Sequence, residues 1–189
     1  TGADLRDHIA MLRNKNPNLI GLILDLRNNP GGLLEQAVDV ADAFLERGTI
    51  VTTVGHGDKM RDERRAQWKN TESDLSLAVL LNAGSASASE IVAGALKNNN
   101  RAMVLGSTSF GKSTVQVLFP FREGNRQAAL KLTTAEYLTP GDKSIQLVGV
   151  VPDVQLTPIL IKKDQVSIFA EIKQGREEDL EAHLQEKAP

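Results

Sequence analysis

Cysteine is absent from the 189 residues, which excludes disulfides and thiolate-bound metal. No run approaches the roughly 20 consecutive apolar residues that a membrane-spanning helix needs, and no secretory leader is visible. Charge is nearly balanced, 22 Lys and Arg against 24 Asp and Glu, so no basic surface is offered to nucleic acid. Internal repeats and low-complexity segments are missing as well. Histidine is scarce: His8, His56 and His183 all lie in polar surroundings, so the usual base for a nucleophilic serine is not at hand. What is present, 41% apolar and 24% charged residues, is ordinary for a globular domain and ample for one core.

Periodicity supplies the outline. Residues 3–14 set Leu5, Ile9 and Leu12 at helical spacing, and Pro17 closes the segment. Residues 19–26 (LIGLILDL) are almost continuously apolar, the pattern of a strand covered on both faces by helices. The turn cluster RNNPGG comes next, at 27–32. Residues 33–47 then place Leu34, Ala37, Val38, Ala41, Phe44 and Leu45 on one face, an amphipathic helix stopped by Gly48. Strands are expected at 49–54, 75–81, 101–105, 113–119, 128–134 and 144–151, with 153–156 as an extension. The charged stretch 55–70 reads as an exposed loop or irregular hairpin, with Trp68 either covering a groove or packing down. A charged helix is expected over 176–187. Alternation of strands and helices argues an α/β domain, with a body over 1–157 and a tail over 158–189.

The chemistry gathers in residues 82–116, NAGSASASEIVAGALKNNNRAMVLGSTSFGKSTVQ. Ser85, Ser87 and Ser89 alternate with alanine ahead of a short helix, whose dipole favours a developing alkoxide. A serine hydroxyl needs a base beside it, and a lysine serves when burial strips its water away, because desolvation disfavours the ammonium form. Lys112 is in suitably dry sequence, after Met103, Val104, Leu105 and Phe110 and before Val115, Val117, Leu118 and Phe119. Glycines of the 27–32 turn allow backbone geometry closed to other residues, and their amides suit an oxyanion, although a plain tight turn has the same sequence. A strand over 113–119 sets Lys112, Thr114 and Gln116 on one face, where the Gln116 amide can aim the lysine without adding charge. A rival motif overlaps. GSTSFGKS at 106–113 fits the phosphate-loop pattern G-x-x-x-x-G-K-[ST], but such a loop opens a helix, and STVQVLFPF is β-branched, aromatic and broken by Pro120. A P-loop nucleotide-binding protein is therefore the minor alternative.

SASASE at 85–90, FGKSTVQ at 110–116, LILDLRNNPGG at 22–32 and ALKLTTAEYLTPGDKSIQLVGVVPD at 129–153 together resemble the carboxyl-terminal processing (tail-specific) proteases, in that family's order. The resemblance implies a Clp-protease/crotonase-like core of repeated ββα units with an added β-hairpin region, and a serine–lysine dyad. In that family the nucleophile precedes the lysine by 25 positions, which falls on Ser87, and a supporting glutamine comes four after it, which falls on Gln116. The same resemblance implies an oxyanion hole from the amide of Ala88 and that of Gly31 or Gly32, with no metal and no cofactor. The implied function is a serine endopeptidase acting near protein C-termini, on protein or peptide substrates with small or apolar tails, at a periplasmic or other extracytoplasmic site. Asn98 departs from the acidic residue some relatives carry there. No PDZ-like segment is present, so an excised catalytic core or a reduced family member is expected; a protease-fold binding module with little or no turnover is the alternative.

Overall fold

Short aliphatic runs lie side by side as a parallel sheet, and longer β-branched runs fold back on themselves as an antiparallel one. The computed structural model describes residues 1–55, 60–69, 71–124, 126–157, 160–162, 165–167 and 175–180. In chain order the elements are α1 (Gly2–Lys15), β1 (Gly21–Asp25), α2 (Leu34–Asp42), β2 (Thr49–Gly55), β3 (Arg61–Arg65), β4 (Ser76–Leu81), α3 (Ala88–Asn98), β5 (Met103–Gly106), β6 (Thr114–Glu123), β7 (Arg126–Leu138), β8 (Val154–Gln155), β9 (Leu160–Lys162) and β10 (Gln165–Ser167). A 3-10 turn, Glu177–Asp179, comes last.

The first sheet has the order β1-β4-β5-β8 and every neighbouring pair is parallel. Parallel neighbours need crossovers: α2 lies on the one from β1 to β4, α3 on the one from β4 to β5, and the chain from β5 to β8 runs through β6 and β7. Leu77, Val79, Leu81 and Val104 join Phe44, Ile50, Ile91, Val92, Ala95 and Leu96 in one buried cluster. Each fully buried aliphatic side chain of this size contributes about 1.5–3 kcal/mol, so the C-terminal ends of β1 and β4 are held firmly where the site is built. Coverage of β1 on both faces, expected from its continuous apolar run, is not what the fold provides. Ile23 is 71% exposed and Met103 is 56% exposed, and the two flank Ala78 on the outer face. The reason is that α1 packs against α2 rather than across the sheet.

The second sheet, β3-β2-β7-β6, is antiparallel throughout. β6 and β7 form a long hairpin, paired as far as Glu123 and Arg126, with Leu118, Phe119, Phe121 and Leu130 exposed along it; of the turn expected at 122–127, residue 125 lies outside the described residues. Pro120 is tolerated because β6 is an edge strand. The irregular hairpin foreseen within 55–70 is β2–β3; residues 56–59 and 70 lie outside the described residues, and Trp68 is 81% exposed.

Three expectations are corrected. Helix α2 ends at Asp42 rather than Arg47, because the chain turns to bury Ala43, Phe44 and Leu45 while the Arg101 guanidinium captures the Phe44 carbonyl at 2.8 Å. No strand forms over 144–151. Leu147 and Gly149 take positive φ, 64° and 72°, which breaks extension, and Leu147 N–H donates to Gly111 O at 2.8 Å, so the segment braces a loop instead of pairing in a sheet. At the C-terminal end, the 3-10 turn Glu177–Asp179 replaces the first turn of the helix expected from 176, and residues 181–187 lie outside the described residues. There Glu177 N–H donates to Phe110 O at 3.0 Å and Arg176 Nη2 donates to Val148 O at 2.8 Å, docking the turn behind the same loop.

Candidate active site

Strand β4 ends at Leu81 and helix α3 starts at Ala88, so the alternating serines occupy the strand-to-helix turn. Two of the three hydroxyls serve the turn itself. Ser85 is fully buried and its Oγ donates to Leu26 O at 2.8 Å, while Ser89 Oγ donates to Asn29 O at 3.0 Å. Asn82 Oδ1 accepts from Asn28 N–H at 2.9 Å and from Gly84 N–H at 3.0 Å, so the turns after β1 and β4 are bolted together. Ser87 is the residue left at the apex. It is half-buried and has φ 56° and ψ −115°, backbone geometry sparsely populated by non-glycine residues and maintained only by surrounding constraints.

The strongest constraint is Glu90, whose side chain is fully buried. Its Oε2 accepts from Ser87 N–H at 2.8 Å and from Lys112 N–H at 3.0 Å. Its Oε1 accepts from Ser109 Oγ at 2.6 Å and from Gly111 N–H at 2.7 Å. One carboxyl group thereby ties the serine turn to the 107–113 loop, and a single oxygen joins the backbones of Ser87 and Lys112. Burial pushes the Glu90 carboxyl up, against the opposing effect of its hydrogen bonds from Ser109, Lys112, Gly111 and Ser87. The loop is braced from behind: Ser113 N–H and Oγ donate to Gln146 Oε1 at 2.9 and 3.0 Å, and Val150 N–H donates to Ser109 Oγ at 2.6 Å.

Lys112 is half-buried beside this junction. Ser87 and Lys112 are brought together through their backbones; among the described residues no hydrogen bond joins Ser87 Oγ to Lys112 Nζ. Catalytic pairs are commonly long in unliganded geometry and tighten on substrate. Gln116 is exposed on β6, opposite Thr133, on the strand that leads away from Lys112. Asn98 is held by Thr139, its Nδ2 donating to Oγ1 at 3.2 Å.

The glycine turn abuts the serine. Gly31 has φ 102°, and a Cβ there would stand 2.7 Å from Ala86 O and 2.8 Å from Ala88 N. Its own N–H donates to Asn29 Oδ1 at 3.0 Å. Gly32 has open space around it, and among the described residues its N–H makes no hydrogen bond. Ala88 N–H is a first-turn amide of α3 without an intrahelical partner. At the head of the turn, Arg27 Nε and Nη2 bind Asp25 at 2.9 and 2.7 Å, and the Arg27 hydrogen bond holds the Asp25 carboxyl below its ordinary value.

The phosphate-loop alternative fails on geometry. GSTSFGKS leads into strand β6, not into a helix, and the Gly111 and Lys112 amides that would cradle phosphate already converge on the Glu90 carboxyl group.

Residues 1–156 match the model of Peptidase family S41. The chain belongs to peptidase family S41. A carboxy-terminal-processing protease of Bartonella bacilliformis is 47% identical over 167 residues, 86% of the S41 chain described here and 37% of that protein. A probable CtpA-like serine protease of Staphylococcus aureus is 40% identical over 160 residues, covering 82% of the chain and 31% of the relative. Among solved structures, a photosystem II D1 C-terminal processing protease superposes with a TM-score of 0.73 at 37% identity, over 82% of this chain and 39% of that one. The S41 chain thus spans about a third of the length of the curated relatives it matches. Its mixed α/β fold, with parallel and antiparallel sheets, is similar to that of the D1 processing protease.

Two residues packed against the candidate site escape the sequence: Glu90 and Tyr137, whose hydroxyl donates to Lys112 O. The spacing Ser87-x-x-Glu90 is a capping-box signature, and it was the available signal for the first. Nothing local marks Tyr137, which arrives from the end of β7. The glycines separate by expected stability. Gly31→Ala should cost about 2 kcal/mol or more, because it adds a Cβ inside contact distance at a positive φ. Gly32→Ala should cost less than about 1 kcal/mol. Urea unfolding of the two variants checks the contrast, and equal losses would refute it.

Proposed function

We propose that this chain is the catalytic core of a serine endopeptidase that cleaves proteins near their C-termini, with Ser87 as nucleophile and Lys112 as its base. The observation that carries this is the shared Glu90 oxygen, which holds the backbones of Ser87 and Lys112 together at a strained helix entrance. Ser87 Oγ attacks the scissile carbonyl carbon as its proton passes to neutral Lys112 Nζ. The tetrahedral oxyanion is received by the amides of Ala88 and Gly32; Gly31 is the weaker candidate, since its N–H already has a partner in Asn29. Collapse breaks the C–N bond, the lysine proton leaves with the amine, and water, deprotonated by the same lysine, releases the acyl group from Ser87. Gln116 is assigned to orient Lys112 when substrate closes the site. No step calls on a metal or cofactor.

The substrate class, proteins or peptides with small or apolar C-termini, and an extracytoplasmic location both rest on the family resemblance. The names of relatives, carboxy-terminal-processing protease among them, support the first. Among the described residues no helix is long and apolar enough to cross a membrane. The parallel sheet, with α2 and α3 on its crossovers, supports reading the core as a Clp-protease/crotonase-like arrangement.

The test is covalent. A fluorophosphonate reagent, with peptide mapping of the product, should place the adduct on Ser87 and leave Ser85 and Ser89 unmodified, with labelling and casein cleavage unchanged by EDTA. An adduct on another serine, or activity lost to the chelator, would sink the proposal.

A further inference from the structure

Tyr137 is the chain's one tyrosine and is 2% exposed. It stands next to last in β7, where its N–H donates to Ser113 O at 2.9 Å and so fixes the strand end against the lysine loop. Its hydroxyl donates to the carbonyl oxygen of Lys112. A buried tyrosine needs a partner for its hydroxyl, and the Lys112 carbonyl meets that need. Hydroxyl and amide together grip two consecutive carbonyls of the lysine loop, those of Lys112 and Ser113.

We infer that Tyr137 is a positioning residue for the Ser87–Lys112 pair, its hydroxyl and its N–H holding the lysine's backbone at one distance from the serine turn. This rests on the serine–lysine reading above. Reacting groups must meet within about 3–3.5 Å, so the lysine's backbone has to be held at a fixed place beside the serine turn. Burial, with the Glu90 charge nearby, pushes the phenol well above its ordinary pKa, so it stays neutral and does not compete with lysine as base.

Tyr137→Phe keeps the ring and deletes one oxygen. Wild type and variant are reacted with a fluorophosphonate over a range of concentrations, and intact mass is monitored to separate the maximal acylation rate from probe affinity. The maximal rate should fall about 100-fold while the half-saturating concentration stays within about twofold. The unfolding temperature should stay within about 4 °C. Ser87→Ala and Lys112→Ala are run in parallel. A wild-type rate in Tyr137→Phe, with both alanine variants inert, would overturn the positioning role and leave the serine–lysine mechanism standing. A rate loss matched by weaker probe binding or by a collapse in unfolding temperature would also overturn it, making Tyr137 a packing residue. Labelling that persists in Ser87→Ala, or is missing from wild type, removes the mechanism and this inference together.

Discussion

Ser87→Ala is expected to lower casein cleavage by about 10⁶-fold in kcat, Lys112→Ala to do nearly the same, and the double variant to lose no more. The two groups perform one proton transfer, so removing either leaves the other without a task, and their losses do not add. Ser85→Ala gives the opposite pattern. Its hydroxyl is fully buried and donates to Leu26 O, so its loss should cost about 1–3 kcal/mol of stability and leave the rate per folded molecule close to wild type. Casein gels and urea melts on the same preparations read both quantities. Cleavage that survives Ser87→Ala and Lys112→Ala, or that vanishes in Ser85→Ala without loss of fold, would defeat the assignment.

The candidate serines and lysine stand out because their marks are local, while the choice of Ser87 among the three serines comes from the family resemblance. Small residues around Ser87, the glycines at 31 and 32 and the apolar setting of Lys112 all reside in short contiguous stretches. The βα units were legible for the same reason, since β1, α2, β4 and α3 each keep their own periodicity. What escaped depends on contacts between distant segments. The run 144–151 has a strand's composition, yet Gln146 is taken up by Ser113, 33 positions earlier, and Leu147 is pulled into a left-handed turn toward Gly111. Likewise β1 reads as doubly covered because its outer face is as apolar as its inner one; whether a helix lies over that face is decided elsewhere in the chain. Tyr137 is separated from Lys112, whose carbonyl it binds, by β6 and nearly all of β7. Sequence spacing carries no record of such a meeting.

The division of labour at Glu90 leads to the second large expectation. Deleting this side chain by Glu90→Ala strands the Ser87, Gly111 and Lys112 amides and the Ser109 hydroxyl in a buried site, at a cost of about 3–5 kcal/mol, a large part of the stability of an ordinary domain. Glu90→Gln is the more telling variant. Its NH₂ replaces one accepting oxygen, so one pair of donors meets a donor: either Ser87 with Lys112, or Ser109 with Gly111. Either conflict separates the two loops, and acylation of Ser87 should fall by about 10²–10³-fold in protein that still folds. The pH dependence of stability supplies an independent check. Burial raises the Glu90 pKa in the folded state, so between its ordinary value and its folded value the native protein binds more protons than the unfolded chain. Stability from this group is therefore complete below the ordinary carboxylate range and is lost as pH rises through the folded pKa. Urea midpoints measured across that window should decline more steeply in wild type than in Glu90→Gln, where there is no proton to release. Parallel profiles, together with an unimpaired acylation rate, would mean that the carboxyl group neither feels its burial nor holds Ser87 and Lys112 in place.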